Sequence, residues 1–345
     1  MRTKTFALAT ACALSSSLAS VATQAALPEM NTTIYGIISV DAVSASDVYN
    51  AGTGKSFTKE YVDNGAQSPS RLGFKGSHTI NDDFKLNFGI EAGFAPDTGN
   101  TTTGQLFNRG SWVGFSGKMG DVKIGRQWNL NDDNMGNYFV FGGYAVFRLS
   151  EFGDVSNLFN NAIKYYTPTF GGFQAGFMFG AGEAASSSDG GNMAEAVATY
   201  NMGAFSTAVS YHTSKDASGP GFKTDRLTTG GASYAIGPVK PRFGISVAHY
   251  PSLSSNATAY DAGIDWTVTQ PLVLSLDYIY RNKKSSPDDT KYYRLRAIYA
   301  VDSAVSVYAN IIYLNNSGKA TEHFYGDGLA GQNQRVYGVG FQYVF

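Results

Sequence analysis

A period of two runs through this chain and leaves few folds open to it. In FKLNFGIEAGF, residues 84–94, Phe84, Leu86, Phe88, Ile90, Ala92 and Phe94 share one face, and Lys85, Asn87, Gly89, Glu91 and Gly93 share the other. YDAGIDWTV sets Asp261 and Asp265 against Tyr260, Ile264 and Trp266. PLVLSLDYIYR gathers Leu272, Leu274, Leu276, Tyr278 and Tyr280, and YYRLRAIY sets Arg294 and Arg296 against Tyr293, Leu295 and Tyr299. VSVYANIIY repeats the division, and so does the closing RVYGVGFQYVF, with Tyr337, Val339, Phe341, Tyr343 and Phe345 on alternate positions. Successive strand side chains point to opposite faces, so each segment has an oily side and a polar side.

The joins decide what kind of sheet this is. Strands are expected near 32–44, 69–79, 83–96, 106–117, 121–128, 160–167, 171–181, 192–202, 204–213, 225–236, 239–250, 257–268, 271–282, 290–300, 303–314 and 335–345, sixteen in all. Joins after even-numbered strands are short, such as Met202-Gly203, Gly237-Pro238 and Val301-Asp302. Joins after odd-numbered strands are mostly long and polar: 45–68, 129–159, 182–191 and 315–334. That rhythm belongs to an up-and-down meander whose two rims face different surroundings, with tight periplasmic turns and long external loops. Tilted segments of about 9–11 residues span the apolar layer of a membrane. Backbone in hydrocarbon must bond internally, so the last strand is expected to pair with TIYGIISVDAV. A soluble sandwich is the alternative; it has no need of so many Tyr and Phe on one face of nearly every strand.

Composition agrees. There are 40 Gly, 22 Tyr and 23 Phe, with 15% charged residues. No long segment carries a 3.6-residue apolar period, and after the N-terminal run no stretch of apolar residues is long enough for a membrane helix. A formal net charge of −1 points away from nucleic acid. At the N-terminus, Arg2 and Lys4 precede FALATACALSSSLASVA and a small-residue site at Thr23-Gln24-Ala25. This is the layout of a signal peptide over residues 1–25, leaving 26–345 as the barrel. Cys12, the only cysteine, falls in the leader, so the mature chain carries no disulfide.

Several stretches carry a resemblance. TIYGIISVDA, SRLGFKGSHTINDDFKLNFGIEAGF, FNRGSWVGFSGKMGDVKIGRQ, NNAIKYYTPTFGGFQAGFMFG and the aromatic last strand resemble the general porins of Gram-negative outer membranes, notably the β-proteobacterial type. The resemblance implies an all-β, 16-stranded antiparallel transmembrane barrel in the outer membrane, assembled as a homotrimer. Each subunit would hold a water-filled pore for passive diffusion of small hydrophilic solutes and ions. It implies that the third long loop, about residues 128–159, folds into the barrel. It implies that Phe345 marks the chain for the barrel-assembly machinery, and that outer-membrane lipid and lipopolysaccharide surround the barrel.

A pore selects by its width and by the charges on its wall. Arg71 and Lys75 share a parity opposite Leu72 and Phe74. By resemblance, Arg71, Arg109 and Arg126 match the basic wall of the family's constriction, and Glu151 in SEFGD matches the acid of its loop; Asp132, Asp133 and Asp154 are further acids there, with Arg148 to offset them. A basic wall facing an acidic loop would set a transverse field across the pore. The plainer reading is that these are solvated lumen or loop residues. Leu158-Phe159 stand where the family would lead one to look for another basic residue, and lumen charges of both signs leave the ion preference open.

No catalytic chemistry stands out. His78, His212, His249 and His323 lack metal-ligand spacing, and no metal or other cofactor is expected. A barrel enzyme would need a nucleophile near a rim histidine. VAHYPS places His249 at a rim, but no nucleophile motif lies near it.

Overall fold

A computed structural model describes residues 31–101, 104–138, 158–183, 190–216, 223–252 and 255–345. The described strands form one continuous antiparallel sheet that closes on itself. In chain order they are β1 (Asn31–Asn50), β2 (Lys55–Asn64), β3 (Arg71–Asn81), β4 (Phe84–Gly93), β5 (Gly110–Gly117) and β6 (Gly120–Trp128). A short helix, α1 (Leu130–Met135), precedes β7 (Leu158–Tyr166), β8 (Phe173–Gly180), β9 (Met193–Met202), β10 (Phe205–Lys215) and β11 (Thr224–Tyr234). The circuit ends with β12 (Val239–Tyr250), β13 (Ser255–Thr269), β14 (Leu272–Lys283), β15 (Thr290–Ala300), β16 (Val305–Asn316) and β17 (Gln334–Val344).

These seventeen segments make a 16-stranded barrel because β2 and β3 form one interrupted stave. Both pair with β1, β3 along residues 31–37 and β2 along residues 40–50. Segment 65–70 breaks the stave between them. The break is bonded back to β1: Ser39 N donates to Ser70 Oγ at 2.9 Å, Ser70 Oγ donates to Ser39 O at 3.0 Å, and Ala66 N donates to Asp41 Oδ2 at 2.7 Å. Residues 45–68, expected as a loop, are thus mostly the top of β1 and its hairpin return.

The expected closure between first and last strands is present. Ile37 pairs with Val344 and the register runs to Ala45 opposite Val336. Gly36 and Phe345 exchange backbone bonds of 2.9 and 3.1 Å, so the terminal residue is part of the seam. On the inner face Tyr308 of β16 reaches over Gly340 of β17 to Asp41 and Ser39 of β1, its hydroxyl 2.9 Å from Ser39 Oγ and bonded to Asp41 Oδ1. A Cβ at Gly340 would collide with both Asp41 and Tyr308.

The two faces of the wall differ as the alternation requires. Leu276 is 54% exposed on the outside while its neighbour Asp277 is 2% exposed inside. Outward positions of β17 are Tyr337, Val339, Phe341 and Tyr343, all exposed. This inverts a soluble protein's arrangement, with the oily side outermost and no need for a central core. Four apolar clusters nevertheless form among the described residues, two of them where the break at 65–70 and α1 lie on the inner wall. One joins Val43, Ala45, Val48, Ile312 and Val336 to Ala66 of the break, with Phe324 and Tyr325 packed on it. Tyr325 stacks on Tyr61 at 4.7 Å and donates to Asp63 Oδ2 at 2.9 Å. Burial first, and the Asp63 carboxylate second, push this phenol well above its usual range.

Candidate functional site

The second inner cluster belongs to α1. Asn129 caps the helix, its Oδ1 accepting from Asp132 N at 2.7 Å. Leu130, Met135 and Tyr138 are buried against Ala162, Met178, Met193, Val197 and Ala208. Those wall residues sit on the parity opposite the exposed Ile163, Phe177, Phe179 and Val209, so they face inward. The segment 129–138 therefore lies inside the barrel, against β8 to β11.

Polar contacts hold it there. Glu195, buried on the inner face of β9, accepts from Leu130 N at 2.8 Å and Asn131 N at 2.7 Å. Ser210 Oγ donates to Asn131 Oδ1 at 2.8 Å, Tyr138 OH lies 2.8 Å from Ser206 Oγ, and Arg242 Nη1 donates to Asn137 O at 3.0 Å. Small wall residues make the room: a Cβ at Gly231 would collide with Tyr138. Beside Glu195 lies His212, 1% exposed, with Nδ1 at 3.8 Å from the carboxylate and, among the described residues, no hydrogen bond to either ring nitrogen.

The expected site residues fall out as follows. Arg71 lies on the lumen parity but turns toward the break, donating from Nε to Pro69 O at 3.0 Å and from Nη2 to Ser68 Oγ at 2.6 Å. Lys75 faces the lumen with Nζ 5.0 Å from the centre of the Tyr35 ring. Arg109 precedes β5 and pairs with Glu91 at 2.6 Å, with its guanidinium 4.9 Å from the Trp128 ring. Tyr35 OH donates to the other Glu91 oxygen at 2.9 Å. Arg71, Lys75 and Arg109 are therefore brought to one inner sector.

Arg126 is not. It pairs across the ladder with Ser111, on the parity of Val113 and Ile124, which are 45% and 49% exposed on the outside. Its guanidinium donates to Asn108 O at 2.9 Å and Asn160 Oδ1 at 2.6 Å at the strand tops. The lumen parity of β6 is held by Lys123, one residue off Ile124, with Nζ 4.5 Å from the centre of the Trp112 ring.

The loop acids divide too. Asp133 does not confront the basic sector as a bare charge. It pairs with Lys164 of β7 at 2.6 Å and accepts from Tyr166 OH at 3.2 Å. Asp132 lies in the first turn of α1, where a negative charge suits the helix dipole. Glu151, Asp154 and Arg148 lie outside the described residues. Phe159 packs against the α1 cluster and the His212 ring, 5.7 Å away, so an apolar residue there seats the helix. His249 sits at the outer end of β12, its Nδ1 2.6 Å from Asn256 Oδ1.

Across the lumen, β12 to β15 carry charges that neutralise one another. Arg242 pairs with Asp265, which also accepts from Ser275 Oγ at 2.7 Å. Arg294 grips Asp277 from Nε at 2.9 Å and stands 3.8 Å from Asp261. Arg296 donates to Gln67 Oε1 at 3.1 Å, which brings the break at 65–70 over this side. Lys123, Lys164, Glu195 and Glu91 are the members that pattern reading missed as site residues. Each occupies the polar half of its strand's alternation, and that is the only local signal they give.

The comparisons with known proteins agree with this closed-sheet fold. The profile of the Gram-negative porin family matches residues 7–319. The chain belongs to the Gram-negative porin family. This porin is 27% identical to outer membrane porin protein 32 of Delftia acidovorans, across 94% of its own length and 97% of the relative's. Its fold superposes on the anion-selective porin from Comamonas acidovorans with a TM-score of 0.82, at 24% identity, covering 92% of this chain and all of that one. The trimer form of OmpT from Vibrio cholerae follows the same fold, with a TM-score of 0.68 at 17% identity over 92% and 99% of the two chains. The protein is an outer-membrane β-barrel.

Proposed function

We propose that this porin forms a water-filled channel for passive diffusion of small hydrophilic solutes and ions, and that anions pass ahead of cations. One observation carries the reading: the closed sheet is oily outside and turns the polar, charged half of its alternation to the inner face, as the wall of a water-filled lumen requires. The channel narrows where 129–138 leans in from β8–β11 and where 65–70 leans in from the seam. The free wall between them, β3 to β6, carries Lys75, Lys123 and the Arg109–Glu91 pair. The acids of the opposite wall are largely spent on its own arginines, so the basic sector sets the sign. The anion-selective relative supports this sign.

Residues 1–25 serve as the export leader. The barrel works as a homotrimer, as the trimeric relative suggests. Phe345, paired with Gly36 in the seam, doubles as the mark read by the assembly machinery, and lipopolysaccharide contacts the external rim. Planar-bilayer recording on the refolded chain tests the reading. Stepwise openings in groups of three are expected, with a reversal potential of anionic sign across a potassium chloride gradient. A chain that folds and inserts without conducting would refute it.

A further inference from the structure

Most lumen cations of this porin have a carboxylate against them: Arg109 has Glu91, Lys164 has Asp133, Arg242 has Asp265, Arg281 has Glu322 and Arg294 has Asp277. Lys75 and Lys123 differ. Among the described residues neither touches a carboxylate, and each ammonium is poised over an aromatic ring, Tyr35 and Trp112 respectively. The rings themselves lie flat on the wall. Tyr35 covers Gly73 and Trp112 covers Gly89, where a Cβ would strike the ring in each case.

The ladder puts these parts together. Lys75, Gly89 and Trp112 share one cross-strand row, and Ser77, Asn87, Gly114 and Lys123 share the next row toward the periplasm. Three strand spacings of about 4.8 Å separate the backbones of the two lysines, and side chains of that length close much of the gap. Between them opens a cavity of about 440 Å³, lined by Lys75, Lys123, Trp112, Ser77, Asn87 and Ser116. Asn87 Nδ2 donates to Ser116 Oγ at 2.8 Å, so the Ser116 hydroxyl proton remains available to a guest. Asp121 also lines the cavity, exposed at its periplasmic edge.

We propose that this recess is a binding station for small organic phosphate monoesters on their way through the channel. Two ammonium groups match a dianionic phosphate, hydroxyl and carboxamide donors serve its remaining oxygens, and the volume leaves room for an organic body beside the indole. A halide would fill a small part of that space and use none of the polar donors. The station deepens the anion-channel reading and rests on it for access from the lumen.

The test reads binding without current. Detergent-purified full-length protein, whose three tryptophans include Trp112, is titrated by tryptophan fluorescence with glucose 6-phosphate, glucose and inorganic phosphate. Saturable quenching by glucose 6-phosphate is expected, absent with glucose and weaker with inorganic phosphate. Trp112→Phe should remove the signal. Lys75→Gln and Lys123→Gln should each weaken binding, and the double variant by about tenfold or more, since hydrogen bonds to charged groups are at stake. Lys118→Gln, on an exposed periplasmic turn, should leave the affinity unchanged. Equal responses to glucose, a signal that survives Trp112→Phe, or an unchanged affinity in the double variant would overturn the assignment. Because the readout needs no conduction, a chain that binds the ester but passes no current refutes the channel reading alone. One that conducts but binds nothing refutes the station alone.

Discussion

Glu195 is the side chain on which the infolded segment most depends, and Glu195→Ala is the sharpest perturbation of it. The carboxylate takes the first two amide protons of α1, at 2.8 and 2.7 Å, in a buried setting. A hydrogen bond to a charged group contributes about 1.5–3 kcal/mol, so removing both acceptors costs the segment at least about 3 kcal/mol. The Leu130 and Asn131 amides are also left without their acceptor in a closed space. At about 1.4 kcal/mol per decade, the population with 129–138 detached from β9 rises by two orders of magnitude or more. The barrel itself is untouched, because the β9–β10 ladder is main chain throughout. Chymotrypsin should then cut at Tyr138, which is 2% exposed in the native protein, while the compact barrel still resists heat and detergent. Single-channel current should rise in size and in noise as the segment leaves the lumen. Glu195→Gln keeps one acceptor and should fall between. Native protease resistance at Tyr138 together with unaltered current in Glu195→Ala would refute the reasoning, since the remaining tethers at Lys164 and Arg242 would then suffice.

Three further outcomes follow from the geometry. Leu274→Arg sets a charge on the outer face beside Trp266, and should weaken folding into lipid vesicles by about 2–4 kcal/mol, read as a lower urea midpoint. Gly340→Val forces a side chain between Asp41 and Tyr308 at the seam; overpacking of this kind costs about 1–3 kcal/mol, and the heat-resistant gel form should convert at lower temperature. Arg109→Ser leaves Glu91 facing the lumen without its cation and should shift the reversal potential toward cations, whereas Glu91→Gln should shift it the opposite way.

Much of this molecule was legible because its strands stand between two unlike solvents. Where lipid lies outside and water inside, every second residue must change character, and segments such as 272–283 and 290–300 announce themselves. The pattern fails where water lies on both sides. KSFTKEYVDN is β2, yet residues 55–60 are exposed on both faces, so nothing forces an alternation and the stretch reads as loop. Helix α1 escaped for a different reason. Six residues are too few to show a period, and Asn129 with Asp132 and Asp133 is the only trace, a cap and an acidic first turn. Arg126 shows the cost of borrowing a residue's role from a motif: GRQ fits, but the parity of β6 turns that arginine away from the lumen. Glu195 and Lys164 were invisible as site residues because their partners arrive from 31 to 65 positions away along the chain.

These failures share a cause that bears on selectivity. Alternation identifies which side chains can face water; it says nothing of which ones keep a net charge there. The inner face of β12 to β15 is as rich in arginine as any part of the chain, yet Asp265, Asp277 and Asp261 stand against those arginines. The sector from β3 to β6 has fewer cations, but Lys75 and Lys123 rest on aromatic rings, which attract an ammonium without cancelling its charge. On the reading proposed above, a passing ion meets a wall where what counts is the charge left unpaired, and not the total. The anion preference proposed for this porin rests on that difference in pairing, and a reversal potential unchanged by Lys75→Gln with Lys123→Gln would refute it.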